Sequence, residues 1–282
     1  MNIKLISDST CDLSEALLSR YDITLVPLAV AMDGRDYHDG VDIHPGDIYA
    51  HVAAGGALPV TAAVNAAQYA EVFARYAATY DAVVHINISA EFSSCHQNAV
   101  AASKEFSNVY AVDSRNLSTG HGLVVLEAAR LAEEGLGGAE IAAALEVFAL
   151  RVDASFILDQ LQYLKKGGRC SSVAALGANL LKLKPCIEVR QGKMAVGKKY
   201  RGAFDHCLEQ YITDRLEGRD DLQLERIFVT HSGVSDHTLQ TALDTVRRLQ
   251  PFREVTVTTA GCTISSHCGP GTIGVLYVHK PR

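Results

Sequence analysis

Polar side chains that could bind an anion or take part in acid and base chemistry follow the predicted strands of this sequence. Asp8 and two hydroxyl residues come directly after the first strand, and residues 89–94, rich in serine, come after a strand that ends at Ile88. Ligands of α/β proteins bind at the carboxyl ends of strands, and the amides that open the next helix favour negative charge. A small carboxylate or phosphate would suit this place. Ser93 and Asp8 could instead cap helices, and for Asp8 we favour capping.

Two further candidates stand in turns. Thr61 lies in the segment Pro-Val-Thr-Ala, where the proline fixes an extended turn and the threonine offers a hydroxyl near the start of a helix. Capping and ligand contact are both open for it. His267 begins a His-Cys-Gly-Pro-Gly turn whose glycines allow a ligand to approach the backbone closely. An imidazole there could pair with a carboxylate, because it can donate a proton to an anion at neutral pH.

The elements that would position these residues alternate between short apolar runs and stretches of helical period, which is typical of βα units around a parallel sheet. Near the start, Asp12 is predicted to cap a helix over residues 14–20. A single strand over residues 23–32 then ends in a turn, and residues 35–61, rich in glycine, are interpreted as an irregular excursion over the sheet edge.

The second half has a different pattern, with a predicted hairpin around Gln191-Gly192, two helices and a closing strand. We therefore predict an α/β protein of two domains, residues 1–155 and 156–282, with a cleft between them. The N-terminal domain would be built on a Rossmann-like parallel sheet with helices, and the C-terminal one would be a second α/β unit.

Composition excludes several classes of protein. The chain has 282 residues and a formal net charge of -6, with its basic residues dispersed, so no nucleic-acid partner is indicated. Its longest apolar run, residues 26–32, is too short to span a membrane. The seven cysteines are scattered without a C-x-x-C pair, which favours neither a disulfide framework nor a metal site. Asp8 and Asp12 stand where a signal peptide would be apolar, so we expect a cytoplasmic protein.

Common cofactor and nucleophile motifs are also missing from the sequence. Gly120-His121-Gly122 follows a strand but lacks the third glycine of a dinucleotide-binding turn, and there is no Walker phosphate loop. Neither Ser93 nor Ser232 lies in the Gly-x-Ser-x-Gly pattern of α/β-hydrolases. No cofactor is predicted from these motifs.

Taken together and in order, the motifs resemble those of the DegV family of bacterial fatty-acid-binding proteins. The similarity runs nearly from end to end. The segments that carry it are Asp8 to Leu13, Pro59 to Thr61, Ser89 to Ala99, Val112 to Ser114 with Gly120 to Leu123, Tyr163 to Arg169, Leu183 to Pro185 with Gly192-Lys193, and His267 to Gly271.

The resemblance implies two α/β domains that bury one long-chain fatty acid between them. Some members hand the carboxylate to an ATP-dependent fatty acid kinase. By this resemblance the head group meets Thr61, Ser93 and His267, and Arg169 matches an arginine associated with the head-group region and with kinase engagement. No cofactor besides the bound lipid is implied, and catalysis would reside in the separate kinase.

The sequence departs from the family pattern at two places near the implied head-group site. Residues 62–64 are Ala-Ala-Val where Ser-Gln-Pro is frequent, and Ser94 stands where glycine is common. Both departures concern ligand preference.

Two functional hypotheses follow. The first is a carrier that solubilises a long-chain fatty acid and presents it to a kinase. The second is an enzyme that uses Ser93 and His267 for acyl transfer or hydrolysis, which would require the two side chains to meet.

Overall fold

The computed structural model of the chain describes residues 1–174 and 183–281, so residues 175–182 and 282 of the second predicted domain lie outside it. Strands and helices alternate along almost all of the described chain. The strands are β1 Ile3–Asp8, β2 Ile23–Val26, β3 Ala29–Met32, β4 Arg35–His38, β5 Val60–Ala62, β6 Ala82–Asn87, β7 Val109–Asp113, β8 Val152–Leu158, β9 Leu183–Arg190, β10 Lys193–Arg201, β11 Leu222–Ser232, β12 Glu254–Thr259 and β13 Thr272–His279. The helices are α1 Glu15–Arg20, α2 Pro45–Ala53, α3 Ala66–Ala77, α4 Cys95–Ser103, α5 Ser118–Glu133, α6 Gly138–Ala149, α7 Gln162–Gly167, α8 Ser171–Ala174, α9 Phe204–Leu216, α10 Asp236–Leu249 and α11 Cys262–Cys268.

The first sheet is parallel and has the order β2-β1-β6-β7. Its central strands β1 and β6 are almost wholly buried, as expected for strands that are covered on both faces. Helices α5 and α6 pack on one face, and α3 and α4 pack on the other. The predicted Rossmann-like parallel sheet with helices is confirmed.

The second sheet has six strands in the order β10-β9-β8-β13-β11-β12, and its pairs are antiparallel except β11 with β12. Helices α9 and α10 share a core with one face of it. Strand β8 pairs within this sheet from Val152 onward, so residue 155 falls inside a strand. The division into domains at this residue stays a prediction.

Helix α5 joins the two sheets, because it contacts β1 and β6 on one side and β8, β11 and β13 on the other. Its two glycines, Gly120 and Gly122, allow this close packing. A Cβ on Gly122 would lie 2.7 Å from the carbonyl oxygen of Cys11, and one on Gly120 would lie 2.5 Å from Oδ1 of Asn116. The glycines that resemble part of a dinucleotide-binding turn therefore serve the packing of a buried helix.

A third, antiparallel sheet has the order β4-β3-β5, and it overturns two predictions. The predicted single strand over residues 23–32 is wrong. Pro27 has no N–H for a ladder, and the chain divides there into β2, in the parallel sheet, and β3, in the small sheet. The irregular excursion over residues 35–61 is also wrong, since it contains β4, α2 and most of β5. Pro45 at the first position of α2 was an available helix signal.

The predicted capping by Asp12 is wrong as well. Ser14 caps α1, its Oγ accepting the Leu17 N–H at 3.4 Å. Asp12 has a positive φ of 50° and turns its carboxylate toward the far half of the chain, where it accepts the N–H of Gly261 at 2.9 Å and the hydroxyl of Ser118. Asp12 therefore helps to fix the start of α11 instead of the start of α1.

Asp39 completes this arrangement. Its carboxylate accepts the N–H of Cys262 at 2.7 Å and the N–H of Thr263 at 3.0 Å, and the Ser9 hydroxyl donates to it at 3.2 Å. The amides of residues 261–263 would otherwise have no partner inside the helix, as at any helix start. Two buried carboxylates from the N-terminal part of the chain thus hold the helix that carries His267.

Replacing Asp12 by asparagine should make the protein's stability less dependent on pH. Burial raises the pKa of Asp12 to about 8 despite the hydrogen bonds from Ser118 and Gly261, and the nearby charge of Asp39 adds to the rise. Between about pH 4 and 8 the unfolded chain therefore releases a proton that the folded chain keeps, and stability falls as pH rises. The free-energy advantage of wild type over Asp12→Asn should shrink by up to about 4 kcal/mol from pH 5 to 8, at about 1.4 kcal/mol per unit.

Urea unfolding of both proteins at pH 5, 6.5 and 8 measures this change. Asparagine is a suitable replacement because it is uncharged, like the protonated acid, and its amide can accept from Gly261 and, once the Ser118 hydroxyl turns to accept, donate to Ser118. A constant difference between the two proteins across this range would show that Asp12 is already ionised in the fold at pH 5.

Candidate functional site

A cavity of about 350 Å³ lies where the carboxyl end of the parallel sheet meets the small sheet and α11. Apolar and polar side chains line it, and the polar ones include the four site residues expected from the sequence, Thr61, Ser93, Arg169 and His267. The lining residues are Leu28, Thr61, Ala62, Ala63, Ile88, Glu91, Phe92, Ser93, Ser94, Leu117, Arg169, Met194, Thr263, Ile264, His267 and Cys268. A smaller space of about 30 Å³ shares Leu117, Ile264 and Cys268 with it and adjoins Phe156 and Leu276 of the six-stranded sheet.

Thr61 and His267 meet in this cavity although 206 positions separate them. Thr61 Oγ1 lies 2.8 Å from Nε2 of His267. Strand β5 places the threonine by pairing Thr61 with Val30 of β3, and α11 places the histidine in its last turn. The structure thus brings together the two residues that the sequence marked separately.

The ring of His267 fits closely against a glycine. A Cβ on Gly167 would lie 2.3 Å from Nδ1 of the ring, so a larger residue there would displace the imidazole. Nδ1 is buried and has no hydrogen-bond partner among residues 1–174 and 183–281. Burial, together with the nearby charge of Arg169, lowers the pKa of His267 to about 4. The side chain is therefore neutral at pH 7.

Arg169 stands exposed at the edge of the cavity, one residue after Gly168, which ends α7 with a φ of 70°. Its guanidinium donates to the carbonyl oxygen of Gly167 at 2.8 Å. This contact uses one of five N–H donors, so most of the planar fork is available to an anion in the cavity.

Ser93 also lines the cavity, and its hydroxyl is engaged at the start of α4. Its Oγ accepts the N–H of Cys95 at 3.3 Å and donates to the sulfur of the same residue at 3.1 Å. Within the described chain it makes no hydrogen bond with His267. The imidazole bonds Thr61 instead and has no carboxylate on Nδ1. The arrangement does not give Ser93 the oriented base that a serine nucleophile requires.

Behind Ser93, hydrogen bonds continue into the parallel sheet. Tyr69 donates to Oδ1 of Asp8 at 2.6 Å, and its hydroxyl also interacts with the thiol of Cys95. Burial raises the pKa of Cys95 to about 11, so the thiol stays protonated and can donate. The Ser93 side of the cavity is thus connected to a buried acid through the side chains of residues 95 and 69.

The predicted capping role of Asp8 is wrong. Its side chain does not cap the short turn of 3-10 helix that follows, and lies fully buried instead. It accepts the N–H of Ile88 at 3.0 Å and the amide of Asn87 at 3.2 Å, and His85 Nε2 lies 3.4 Å from it. Burial raises the pKa of Asp8, but the contacts with His85, His121 and Tyr69 outweigh burial and hold it below its usual value. Asp8 therefore joins β1 to β6 as an ionised carboxylate.

Sequence reasoning missed Thr263. This threonine is buried, lines the cavity from α11, and its Oγ1 has no partner in the part of the chain that the structure describes. Helix α11 has seven residues, too few for a helical period to stand out. The sequence predicts only the turn that begins at His267. The turn itself follows the helix at residues 269–271.

The described residues include no group of three or more histidines, cysteines or acids arranged to hold a metal ion. All seven cysteines are buried and unpaired. Among the described helices none is both long and apolar enough to cross a membrane.

Comparison with known proteins identifies the family. A family model described as an uncharacterised protein of the DegV family matches residues 2–280. The chain belongs to the DegV family. A DegV domain-containing protein of Caldanaerobacter subterraneus is 30% identical over 283 residues, covering 99% of both chains.

Solved structures of DegV proteins agree in fold and indicate their ligand. A DegV family protein of Thermus thermophilus, described by its fatty acid binding, is 32% identical, with a TM-score of 0.89 over 99% of this chain and 100% of that one. A stearic acid-binding protein of Eubacterium ventriosum is 26% identical, with a TM-score of 0.83 over 99% of this chain and 98% of that one. DegV proteins close to this chain thus bind fatty acids.

Proposed function

We propose that this protein binds a single long-chain fatty acid in the cavity and presents its carboxylate, in the cytoplasm, to an ATP-dependent kinase that forms the acyl phosphate. The protein itself acts as a carrier. The observation that carries this proposal is the Thr61–His267 hydrogen bond at the polar end of a cavity with apolar walls, at 2.8 Å. Ligand sites combine such walls with a few convergent polar groups.

The carboxylate is received by Thr61, Ser93 and His267. His267 is neutral, and when its Nε2 carries the proton it donates to Oγ1 of Thr61, which leaves the threonine hydroxyl free to donate to the acid. An ionised carboxylate away from water is costly without such partners. Arg169 at the edge adds a planar fork that suits a carboxylate or an acyl phosphate. The bound anion should raise the pKa of His267.

The acyl chain supplies most of the affinity. About 14 methylenes at roughly 0.8 kcal/mol each give on the order of 11 kcal/mol. The polar groups then orient the acid more than they hold it. Transfer of the phosphoryl group needs a reachable carboxylate, and exposed residues such as Glu91, Ser94 and Arg169 line the cavity beside the head-group residues, which is consistent with a mouth that a partner protein can reach.

Analysis of lipid released from the purified, denatured protein tests the binding. Mass spectrometry of the extract should show about one fatty acid per chain. If none copurifies, and added oleate or palmitate binds no better than micromolar, the proposal is wrong. Presentation is tested separately with an ATP-dependent fatty acid kinase. Thr61→Val and His267→Ala should reduce acyl-phosphate formation more than they reduce binding, and equal losses would contradict this division of roles.

Replacing Cys95 by valine should weaken fatty-acid binding, because Cys95 orients the Ser93 hydroxyl. A valine has a similar volume but neither donates nor accepts, so Cys95→Val leaves the Ser93 hydroxyl without its side-chain partner. We expect a loss of about 1 kcal/mol, or about fivefold in the Kd for palmitate. Cys95→Ser keeps an acceptor for the Ser93 hydroxyl and should bind within about twofold of wild type. If both variants bind alike, the thiol serves packing and does not orient Ser93.

A further inference from the structure

A second cavity, of about 380 Å³, lies apart from the lipid cavity and shares no lining residue with it. Its charged side chains come from five separate elements. They are Arg115 after β7, Asp153 on β8, Glu188 and Arg190 on β9, Arg215 and Arg219 at the end of α9 and just beyond it, and His279 on β13. We call it the arginine cavity.

The arginine cavity carries positive charge on an acidic protein. Four arginines face two carboxylates in its lining, a formal charge of +2, whereas the whole chain has a formal charge of -6. Like charges brought together in this way repel one another, and an anion that accepts their hydrogen bonds relieves the repulsion.

The carboxylates of the arginine cavity are already paired with basic side chains. Asp153 accepts from Arg215 and lies 3.1 Å from Nε2 of His279, and these partners, outweighing burial, keep the pKa of Asp153 below its usual value. Glu188 accepts from Nε of Arg190 at 2.7 Å and from Arg215 at 3.3 Å. Both carboxylates of this lining are therefore already paired, and neither is left to accept a hydrogen bond from a further donor.

Two sets of donors are left over. Nε of Arg215 is buried and has no hydrogen-bond partner in residues 1–174 and 183–281. The guanidinium of Arg115 makes no hydrogen bond or ion pair in the same part of the chain, whereas Arg219 of the same lining is held by two bonds of 2.7 Å to Asp221. A buried N–H without an acceptor is costly and marks a place where an acceptor is expected.

We propose that the arginine cavity binds the phosphate group of a small phosphorylated molecule. Arg115, with its free fork, and Arg215, with its unpaired Nε, both line this cavity, and a phosphate offers several acceptor oxygens around one centre for such donors. The aliphatic side chains of Leu150, Val152 and Val189 form a further part of the wall and would pack against the rest of the molecule.

The position of the arginine cavity connects it to the lipid cavity. Gln191 and Gly192, at the turn of the β9–β10 hairpin, line the arginine cavity, and the carbonyl oxygen of Gly192 accepts the Ser89 hydroxyl at 2.9 Å. Met194 of the same hairpin lines the lipid cavity. An anion bound at the turn therefore contacts a hairpin that forms part of both walls.

Calorimetric titration of the full chain with inorganic phosphate and with pyrophosphate, at constant ionic strength in chloride, tests the site. Wild type should bind at one site per chain. Arg115→Gln should weaken this binding by about tenfold or more. Arg247→Gln, which removes the same charge from an exposed position on α10, should bind as wild type does.

Both variants lie on the surface, and equal melting temperatures establish that they are folded. No saturable heat with wild type, or equal binding by Arg115→Gln and wild type, overturns the proposal. Palmitate affinity measured on the same proteins should be unchanged by Arg115→Gln, so failure of the phosphate site and failure of the lipid site remain distinguishable.

Discussion

Shortening the fatty acid from sixteen carbons to ten should weaken its binding to this protein by roughly three orders of magnitude. Six methylenes at roughly 0.8 kcal/mol each amount to about 5 kcal/mol, and each 1.4 kcal/mol is a factor of ten. The apolar walls formed by Leu28, Ile88, Phe92, Leu117 and Ile264 contact carbon atoms of any chain that fills the cavity. Displacement of a fluorescent fatty acid by decanoate and by palmitate measures the ratio.

The effect of chain shortening is compared with the loss of one polar contact at the carboxylate end of the ligand. His267→Ala removes the group that orients the Thr61 hydroxyl, and a neutral hydrogen bond contributes about 0.5–1.5 kcal/mol, so palmitate should bind roughly two- to tenfold more weakly to this variant. Chain shortening should therefore have the larger effect. Two results would contradict this expectation: equal affinities for decanoate and palmitate, or a larger loss of affinity from His267→Ala than from removing the six methylenes. Either would show that the head group dominates the affinity and that the cavity is not an acyl site.

Replacing Asp8 by alanine should destabilise the fold by about 3–5 kcal/mol at pH 7. The side chain is fully buried, and its loss leaves the hydroxyl of Tyr69 and the N–H of Ile88 without the acceptor they bind. The contribution of Asp8 to stability is present in full at neutral pH. A carboxylate whose pKa is lowered by folding stabilises the fold at pH values above its pKa in the unfolded chain. This stabilisation is lost as the pH falls through the lower pKa of the folded protein.

Asp36→Ala is the control, since Asp36 is exposed on β4, where changes usually stay within about 0.5 kcal/mol. Denaturant unfolding at pH 7 gives both differences. A loss at Asp8 no greater than that at Asp36 would mean that the buried donors find other acceptors. Repeating the measurement near pH 3 should narrow the gap between wild type and Asp8→Ala.

Elements with a strong period were predictable from the sequence. β7, α9, α10 and β12 begin and end where their apolar pattern does. The apolar run over residues 23–32 was misleading because it hides a change of sheet at Pro27, and a run of hydrophobic residues carries no information about which sheet it joins. Short elements such as α2 and α11 depend on their caps and on distant contacts.

The candidate site shows the same limit. Residue type and turn context pointed to Thr61, Ser93 and His267 individually, but the Thr61–His267 contact spans 206 positions and arises from the pairing of β5 with β3 and the placing of α11. The roles of Asp8 and Asp12 were misjudged for a related reason. A carboxylate after a strand is usually a local cap, and here the partners are amides of β6 and α11 that no local pattern connects to them.

The acidic pair Asp12 and Asp39 has a consequence for how such proteins can diverge. The helix that carries His267 lies late in the chain, yet its first amides are bound by carboxylates encoded in the first forty codons. A recombination that joins the front of one family member to the back of another would keep His267 in place only if both acids and the helix start match. The two ends of the gene are therefore expected to be inherited together, even where the middle varies.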